Sequence, residues 1–233
     1  MTAMTTDFKP ALIIVDVQED FCPPNGSLAV SNGRSIIPTI NRLLSLPFVL
    51  KIATQDWHPV DHISFASNHD SKKPYVDTTT ITNRSNLAES CTIRLWPDHC
   101  IQDTPGAELL PELDVGSVDH VVKKGTMREV EMYSGFCDPF GGCGSGLVER
   151  LREGGVTDVF VVGLAFDYCV KATALDAAKG GFKTVVVREG TKAVDPEAWG
   201  KVVDELRELQ VEVVGVDGEE LGRVKELKVS STD

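Results

Sequence analysis

VFVVGLAFDYCVKATALDAAKGGFKTVVV, at Val159–Val187, is the stretch that determines the fold class of this 233-residue chain. It begins and ends with apolar runs, Val159–Gly163 and Thr184–Val187, that are nearly continuous in valine. Such runs are typical of strands buried on both faces of a parallel sheet. Between them, Val170–Lys179 has the composition of a helix and is followed by Gly180–Gly181, a helix stop. The stretch therefore predicts two parallel strands joined by a helix.

The same alternation continues along the rest of the chain. The other runs that predict strands are Ala11–Val17, Phe48–Ala53, His120–Lys123 and Val211–Val216. The other stretches that predict helices are Ser35–Ser45, Ser145–Glu153 and Pro196–Leu209, the last with Asp195 as its N-cap. Strands alternating with helices predict an α/β fold, a three-layer α/β/α doubly wound parallel sheet, as a single domain over residues 1–233.

The bulk composition limits the partners and the location. The chain carries a formal net charge of −12, so we expect a small-molecule substrate and neither nucleic acid nor an anionic membrane as a partner. No apolar run approaches the roughly 20 residues of a membrane span. The N-terminal MTAMTTDFKP is not a signal peptide, and the C-terminal Ser231–Asp233 is not an SKL-type signal. We therefore expect a cytoplasmic protein with reduced cysteines, while a nuclear or peroxisomal location and homo-oligomerisation stay open.

Polar residues follow the predicted strands at the edge of the sheet where α/β proteins bind ligands. Asp16 lies at the end of the first strand, Lys124 follows the third, and Cys169 follows the fourth, just before a helix. The helix start and Lys124 should both lower the pKa of the Cys169 thiol. Asp16 could accept the thiol proton and later deliver it to a leaving amine. A lone cysteine in an α/β core more often packs than reacts, so it is the coincidence of the three that indicates a nucleophilic site.

A second set of polar residues follows the second strand. Asp56 and His58 are two residues apart and point to the same side if that segment is extended. His99 could supply a third metal ligand, and His62 a fourth ligand or a partner of one. Two imidazoles and a carboxylate suit zinc, iron or manganese. We therefore predict one divalent metal, with zinc as the first candidate, although an Asp-x-His pair alone is more often structural.

Five motifs in this sequence resemble those of one known family. They are Asp16–Leu28 (DVQEDFCPPNGSL), Thr54–His69 (TQDWHPVDHISFASNH), Leu95–Cys100 (LWPDHC), Lys123–Phe136 (KKGTMREVEMYSGF) and Val161–Thr184 (VVGLAFDYCVKATALDAAKGGFKT). The motifs run in order across about Ala11 to Arg188. On them the chain resembles the nicotinamidase (pyrazinamidase) branch of the isochorismatase-like cysteine hydrolases, and most closely its fungal type.

The resemblance implies a role for individual positions. Asp16 would be the acid and base, Lys124 rather than Lys123 the catalytic lysine, and Cys169 the nucleophile. The implied metal ligands are Asp56, His58 and His99, with His62 as a ligand in some members. The implied oxyanion hole consists of the N–H groups of Ala165 and Cys169, after a cis bond at Leu164–Ala165. The implied aromatic walls of the pocket are Phe21, Trp96 and Tyr133. The segment at about 61–100 would form a lid over the metal site.

The implied reaction is hydrolysis of nicotinamide to nicotinate and ammonia in NAD salvage. The pyridine nitrogen would bind the metal, and a thioester on Cys169 would be the intermediate. Three alternatives stay open. A related amidase of the same superfamily would act on another carboxamide or a ureido compound. A true isochorismatase would not need the Cys169 thiol. A non-catalytic metal-binding interaction module could use the same fold and the same acidic surface.

Overall fold

The first strand, β1, has six buried residues and pairs in parallel with a neighbour on each side. The computed structural model describes residues 8–227, which contain eight strands. In chain order these are β1 (Pro10–Val15), β2 (Leu50–Asp56), β3 (Thr78–Thr82), β4 (Ser90–Arg94), β5 (His120–Lys124), β6 (Asp158–Leu164), β7 (Lys183–Lys192) and β8 (Glu212–Val214). Six of them form a parallel sheet in the order β5-β2-β1-β6-β7-β8, and β3 and β4 form a separate antiparallel hairpin.

Helices cover both faces of the sheet. Within the described range they are α1 (Ile37–Leu44), α2 (Leu147–Glu153), α3 (Lys171–Lys179), α4 (Trp199–Glu208) and α5 (Glu219–Lys225). Helices α1 and α5 pack against one face with Leu12 and Ile14 of β1. Helices α2, α3 and α4 pack against the other face with Ile13 and Val15. Because successive strand side chains point to opposite faces, one continuous apolar run supplies both cores. The predicted three-layer α/β/α doubly wound sheet is confirmed.

Some predicted elements have different ends in the structure. Strand β7 extends to Lys192, well beyond the predicted end at Val187. The helix predicted from Pro196 begins as a short 3-10 turn and becomes α4 only at Trp199. Its predicted N-cap is correct, because the Asp195 side chain accepts the backbone N–H of Glu197. Helix α5 has no counterpart among the predicted helices.

The segment at about 61–100 contains the hairpin β3–β4, which the sequence pattern does not predict. Each of its strands has one buried side chain, Ile81 in β3 and Ile93 in β4, while the others are half-buried or exposed. TTTIT and SCTIR therefore carry too few apolar residues to show a strand pattern. A segment that covers the surface of a domain can form strands without an alternating apolar pattern.

Two expectations concern the chain ends: that the N-terminus is not a signal peptide and that the C-terminus is not an SKL-type signal. Residues 1–7 and Ser231–Asp233 lie outside the described residues. Within residues 8–227, no helix is long and apolar enough to cross a membrane.

The order of the sheet reverses between β1 and β6. From β1 the chain adds β2 and then β5 on one side, and from β6 it adds β7 and β8 on the other. Such a reversal leaves a crevice beyond the carboxyl ends of the two neighbouring strands. Asp16 directly follows β1, and Cys169 lies in the turn that follows β6. The fold therefore directs both residues to the same crevice.

The contact of β1 with β6 leads to a prediction about Gly163, which pairs with Val15 and has a φ of +113°. A Cβ at Gly163 would lie 2.0 Å from the Val15 carbonyl oxygen, so Gly163→Ala must separate the two strands. We expect it to lower the free energy of unfolding by about 3 kcal/mol or more, measured by urea denaturation. The matched control is Gly200→Ala in α4, where a Cβ meets no atom within 4 Å. It should stabilise by about 0.5–1 kcal/mol, and equal effects of the two changes would contradict this account of β1 and β6.

Candidate active site

Three strand ends bring Asp16, Lys124 and Cys169 together. Asp16 directly follows β1, Lys124 ends β5, and Cys169 lies in the wide π-helical turn between β6 and α3. All three residues are buried. The Lys124 Nζ lies 3.0 Å from Asp16 Oδ2 and 3.6 Å from Cys169 Sγ. The three residues singled out from the sequence therefore form one cluster.

Lys124 is a fully buried cation between two carboxylates. Its Nζ donates to Asp56 Oδ1 at 2.5 Å and to the Met132 carbonyl oxygen at 2.8 Å, and it also faces Asp16. Burial alone would lower the pKa of Lys124, but Asp16 and Asp56 outweigh it and raise the pKa well above its ordinary value. Burial alone would likewise raise the pKa of Asp56, but Lys124 and His58 outweigh it and lower that pKa. The Lys124 ammonium and the Asp56 carboxylate therefore stay charged in the closed interior.

Asp16 has an oxygen that is ready to accept a proton. Burial raises the pKa of Asp16 to about 6, although Lys124 acts against this. Asp16 Oδ1 accepts the hydroxyl hydrogen of Thr54 at 2.6 Å. Within residues 8–227, Asp16 Oδ2 is the buried side-chain polar atom without a hydrogen-bond partner, although it faces the Lys124 charge. An Asp16 carboxylate oxygen lies within 4.8 Å of Cys169 Sγ, so proton transfer between the two residues needs only a small movement.

The expectation that the Cys169 thiol has a lowered pKa is wrong for this structure. Burial raises the pKa of Cys169 well above its ordinary value, and Lys124 offsets only part of that effect. The sequence places a helix start and a lysine near the thiol, but it does not reveal how completely the thiol is enclosed. A buried thiol of this kind keeps its proton unless a base lies beside it. Asp16 lies in that position.

Asp56, His58 and His99 form a candidate metal centre. Each offers one ligand atom, and the three atoms lie within 4.8 Å of one another. Asp56 ends β2 and His58 follows two residues later, so the Asp-x-His spacing has the predicted effect. His99 is carried by a separate loop, which is anchored where the Cys100 N–H donates to Asp20 Oδ2 at 2.7 Å. A carboxylate and two imidazoles suit a divalent cation such as Zn²⁺ that also keeps a position for water or substrate.

Hydrogen bonds hold both imidazoles in the tautomer that a metal requires. His58 Nδ1 donates to the Gly125 carbonyl oxygen at 2.8 Å, and His99 Nδ1 donates to that of Pro97 at 2.7 Å. Because a carbonyl oxygen only accepts, each Nε2 keeps its lone pair for a ligand. Burial alone would lower the pKa of His58, but Asp56 outweighs it and raises that pKa. A positive charge is therefore favoured between His58 Nε2 and Asp56 Oδ2, which lie 3.7 Å apart. Asp56, His58 and His99 thus fit a bound cation.

His62 lies next to this centre but outside the group of three. Its ring stacks on that of His58 with centroids 4.0 Å apart. Its Nε2 donates to the Val130 carbonyl oxygen at 3.1 Å, and its Nδ1 then accepts from the Ser64 hydroxyl at 2.8 Å. Burial, together with the neighbouring His58, lowers the pKa of His62 to about 3. Both nitrogens of this neutral ring are therefore hydrogen-bonded, and His62 packs against His58.

One cavity connects the candidate metal group with the thiol, since Asp56, His99 and Cys169 all line it. The expected pocket walls Phe21, Trp96 and Tyr133 line it as well, and so does Ala165, which was expected to supply an oxyanion-hole N–H. The other lining residues are Leu28, Val30, Glu131, Tyr168 and Val194. The Leu164–Ala165 bond is cis, as the resemblance implies. The walls are mostly aromatic or aliphatic, with a few polar groups among them, which suits a flat ring that bears one polar substituent.

The site residues predicted from the sequence do not include Tyr168, Glu131 and Gln18, three polar residues with clear roles in the structure. Tyr168 lines the cavity beside Cys169, and Glu131 is a buried carboxyl in the wall whose pKa is raised by burial. Gln18 is fully buried, and its side chain holds both backbone groups of Asp56, with Nε2 donating to the carbonyl at 2.8 Å and Oε1 accepting the N–H at 2.9 Å. Glu131 and Gln18 lie inside two of the matched motifs, which is the one signal that could have indicated them.

Comparison with known proteins gives concordant results. The chain matches the isochorismatase domain family over residues 10–217. It is 43% identical to the nicotinamidase of Acinetobacter baylyi over 185 residues, which are 79% of this chain and 82% of that protein. The structure of the yeast nicotinamidase Pnc1p bound to the inhibitor nicotinaldehyde has a TM-score of 0.85 at 36% identity, over 88% of this chain and 99% of that one. The pyrazinamidase of Pyrococcus horikoshii in complex with zinc has a TM-score of 0.69 at 35% identity, over 89% and 99%.

Gly125 gives a test of the metal centre. It has a φ of +61°, and a Cβ there would lie 2.4 Å from His58 Cε1 and 2.6 Å from His58 Nδ1. His58 is enclosed by His62 and His99, so Gly125→Ala should displace its ring and lower the Zn²⁺ affinity roughly 10- to 100-fold. The measurement is Zn²⁺ titration in competition with a chelating dye. The control is Gly116→Ala, whose Cβ would meet only Asp114 Oδ1, at 3.5 Å; unchanged affinity in Gly125→Ala would contradict a metal role for His58.

Proposed function

The chain belongs to the isochorismatase domain family, and from that premise we propose that it is a nicotinamidase, which hydrolyses nicotinamide to nicotinate and ammonia. One observation carries the proposal. A single cavity is lined by the Cys169 thiol, by Asp56 and His99 of the ligand group, and by aromatic side chains. Nicotinamide presents a carboxamide that a thiol can attack and a pyridine nitrogen that a metal can bind, on one flat ring. The reaction is consistent with a place in NAD salvage.

In the proposed mechanism Cys169 is the nucleophile and Asp16 moves the protons. Asp16 accepts the thiol proton as Sγ attacks the carboxamide carbon, and the same proton then goes to the amide nitrogen. The C–N bond breaks, ammonia leaves, and a thioester remains on Cys169. Asp16 next takes one proton from the attacking water, the C–S bond breaks, and the thiol regains that proton. The product leaves as nicotinic acid, which gives its remaining proton to solvent or ammonia and becomes nicotinate. In this mechanism Lys124 does not donate a proton to the substrate. Its positive charge stabilises Asp16 or Cys169, whichever is negatively charged at that step.

Backbone and aromatic groups complete the proposed site. The N–H groups of Ala165 and Cys169 would stabilise the oxyanion of the tetrahedral intermediate. Phe21, Trp96 and Tyr133 would hold the two faces and the edge of the ring. We assign the segment at about 61–100, which contains the hairpin β3–β4, as the lid over the metal site.

Asp56, His58 and His99 would hold the divalent metal, which when bound supplies a Lewis-acid contact that orients the pyridine nitrogen. Zinc is the proposed ion because the donor set suits it and because the Pyrococcus relative was solved in complex with zinc. We assign His62 to the support of His58, since both of its nitrogens are hydrogen-bonded. The net charge of −12 supports a neutral small substrate, and it makes nucleic acid and anionic membranes unsuitable partners.

The first test is ammonia release from nicotinamide by the zinc-loaded protein, with Cys169→Ala beside it. We expect the variant to fold and bind nicotinamide but to lose about 10³-fold or more of the turnover number, because the attacking atom is gone. Cys91→Ala is the matched control, since Cys91 is half-buried in β4 and outside the cavity. Turnover in Cys169→Ala close to that of the Cys91 control would contradict the nucleophile assignment.

Benzamide provides the matched substrate, because it has the same carboxamide without the ring nitrogen. A lower kcat/KM for benzamide than for nicotinamide is expected, since the contact with the ligand group is missing. Release of ammonia from other carboxamides or ureido compounds but not from nicotinamide would indicate a related amidase of the superfamily. No release from any amide would favour a non-catalytic metal-binding module.

The pH dependence tests the role of Asp16. The carboxyl must be ionised to accept the thiol proton, and burial raises its pKa to about 6, so kcat/KM should fall as the pH drops below about 6. The Thr54 hydroxyl favours the ionised form through its hydrogen bond to Asp16 Oδ1. Thr54→Val should therefore raise this pKa and move the acid limb upward by about half to one pH unit. The control is Thr184→Val, a buried threonine that bonds to Phe182 away from the cavity; an acid limb that stays in place in Thr54→Val would contradict the assignment.

A further inference from the structure

Arg94, the last residue of β4, contacts two walls of the cavity from outside. Its side chain is exposed, and it is not itself a lining residue. Its Nη1 donates to the Tyr168 hydroxyl at 2.9 Å, and its Cζ lies 5.7 Å from the centroid of the Trp96 ring. These are a charge-assisted hydrogen bond and a cation–π contact. An arginine that only kept the surface soluble would need neither.

The two contacted rings belong to a connected aromatic cluster. Trp96 and Tyr168 meet edge to face with centroids 4.9 Å apart. The Trp96 Nε1 donates to the Tyr133 hydroxyl at 2.9 Å, and the centroids of Tyr133 and Tyr168 lie 5.7 Å apart. These three rings are all cavity walls. A movement of Tyr168 would therefore change the shape of the space beside Cys169.

The rings come from separate parts of the chain. Trp96 follows β4 by two residues, Tyr133 is in the loop after β5, and Tyr168 is in the turn that carries Cys169. The link from Arg94 to Tyr168 joins the hairpin β3–β4 to that turn directly. Without it, the Tyr168 ring would keep its packing against Trp96 but lose the contact that fixes its hydroxyl end.

We propose that Arg94 is a positioning residue that fastens Tyr168 to the β3–β4 hairpin and thereby holds the cavity in the shape that binds the pyridine ring. The inference rests on the proposed function. Arg94 touches neither the thiol cluster nor the metal group, so it affects substrate affinity and leaves the chemical step to Asp16, Lys124 and Cys169.

The kinetic test compares Arg94→Ala, Tyr168→Phe and the double variant with the wild-type protein. Loss of the hydrogen bond should raise the KM for nicotinamide about three- to tenfold and change kcat less than about twofold. Because Arg94→Ala already removes the hydrogen bond that Tyr168→Phe removes, the double variant should have the same KM as Arg94→Ala. Arg84→Ala is the control, since it removes an arginine that contacts Met127 and not the cavity. An unchanged KM in Arg94→Ala, or additive effects in the double variant, would overturn the proposal.

Inhibition by nicotinate separates positioning from simple charge attraction. A positioning role predicts that Arg94→Ala and Tyr168→Phe weaken inhibition by the anionic product and binding of the neutral substrate to a similar extent. The positioning role would be refuted if Arg94→Ala alone weakened inhibition by nicotinate while binding of nicotinamide stayed unchanged. The guanidinium would then act only as a charge at the entrance of the cavity.

A fluorescence measurement keeps this inference distinct from the proposed function. Trp96 is the indole in the cavity wall, so in a background with Trp57→Phe and Trp199→Phe its quenching by acrylamide reports how firmly that wall is closed. Arg94→Ala should increase the quenching constant relative to the wild type and to Arg84→Ala. If the wild-type protein released no ammonia from nicotinamide, the proposed function would fail, and increased quenching would still support Arg94 as the residue that holds the wall. Quenching equal to that of the wild type would refute the inference whatever the activity.

Discussion

The buried ion pairs of Lys124 are the interaction on which the rest of the site depends. One ammonium, with none of its side chain exposed, faces Asp16 at 3.0 Å and donates to Asp56 at 2.5 Å. Asp16 belongs to the thiol cluster and Asp56 to the candidate metal group, so this single cation joins the thiol cluster to the candidate metal group. Removing one member of such a buried set leaves an uncompensated charge, which typically costs about 3–5 kcal/mol. The same contact therefore fixes the relative positions of nucleophile and ligand group and contributes to the stability of the strand ends.

The topology explains why these charges can be buried at all. Lys124 and Asp56 are the last residues of the paired strands β5 and β2, where they are register partners, and Asp16 follows β1 on the other side of β2. Parallel neighbours end at the same edge of the sheet, so the three charges meet without any long connection between them. All three side chains are buried, and the Met132 carbonyl oxygen accepts a further hydrogen bond from the ammonium.

The sequence predicts those parts of the site that follow directly from strand ends. Asp16, Lys124 and Cys169 can be found because each comes just after an apolar run, and Asp56 with His58 because of their spacing. The sequence does not predict contacts that depend on how distant segments meet, such as Arg94 on Tyr168. The hairpin β3–β4 is missed because its strands bury one isoleucine each. The direction of the Cys169 pKa is missed because burial, which dominates it, is a property of the folded chain. The fold class and the strand-end residues could thus be predicted, while the hairpin β3–β4 and the electrostatic balance could not.

The raised pKa values of Cys169 and Asp16 support the proposed chemistry when charge is counted over the whole cluster. Loss of the thiol proton to bulk water would add a negative charge to a closed interior, and burial makes that unfavourable. Transfer of the same proton to Asp16 adds no charge, because one negative charge disappears from the carboxylate as another appears on sulfur. The Lys124 Nζ lies 3.0 Å from Asp16 Oδ2 and 3.6 Å from Cys169 Sγ, so the cation stays close to the negative charge before and after the proton transfer. A base whose own pKa is raised by the same burial is then a better partner for the thiol than an ordinary aspartate would be, since its proton affinity is closer to that of sulfur. The buried lysine allows the nucleophile to be protected from solvent in the resting state and still be ionised when a substrate fills the cavity.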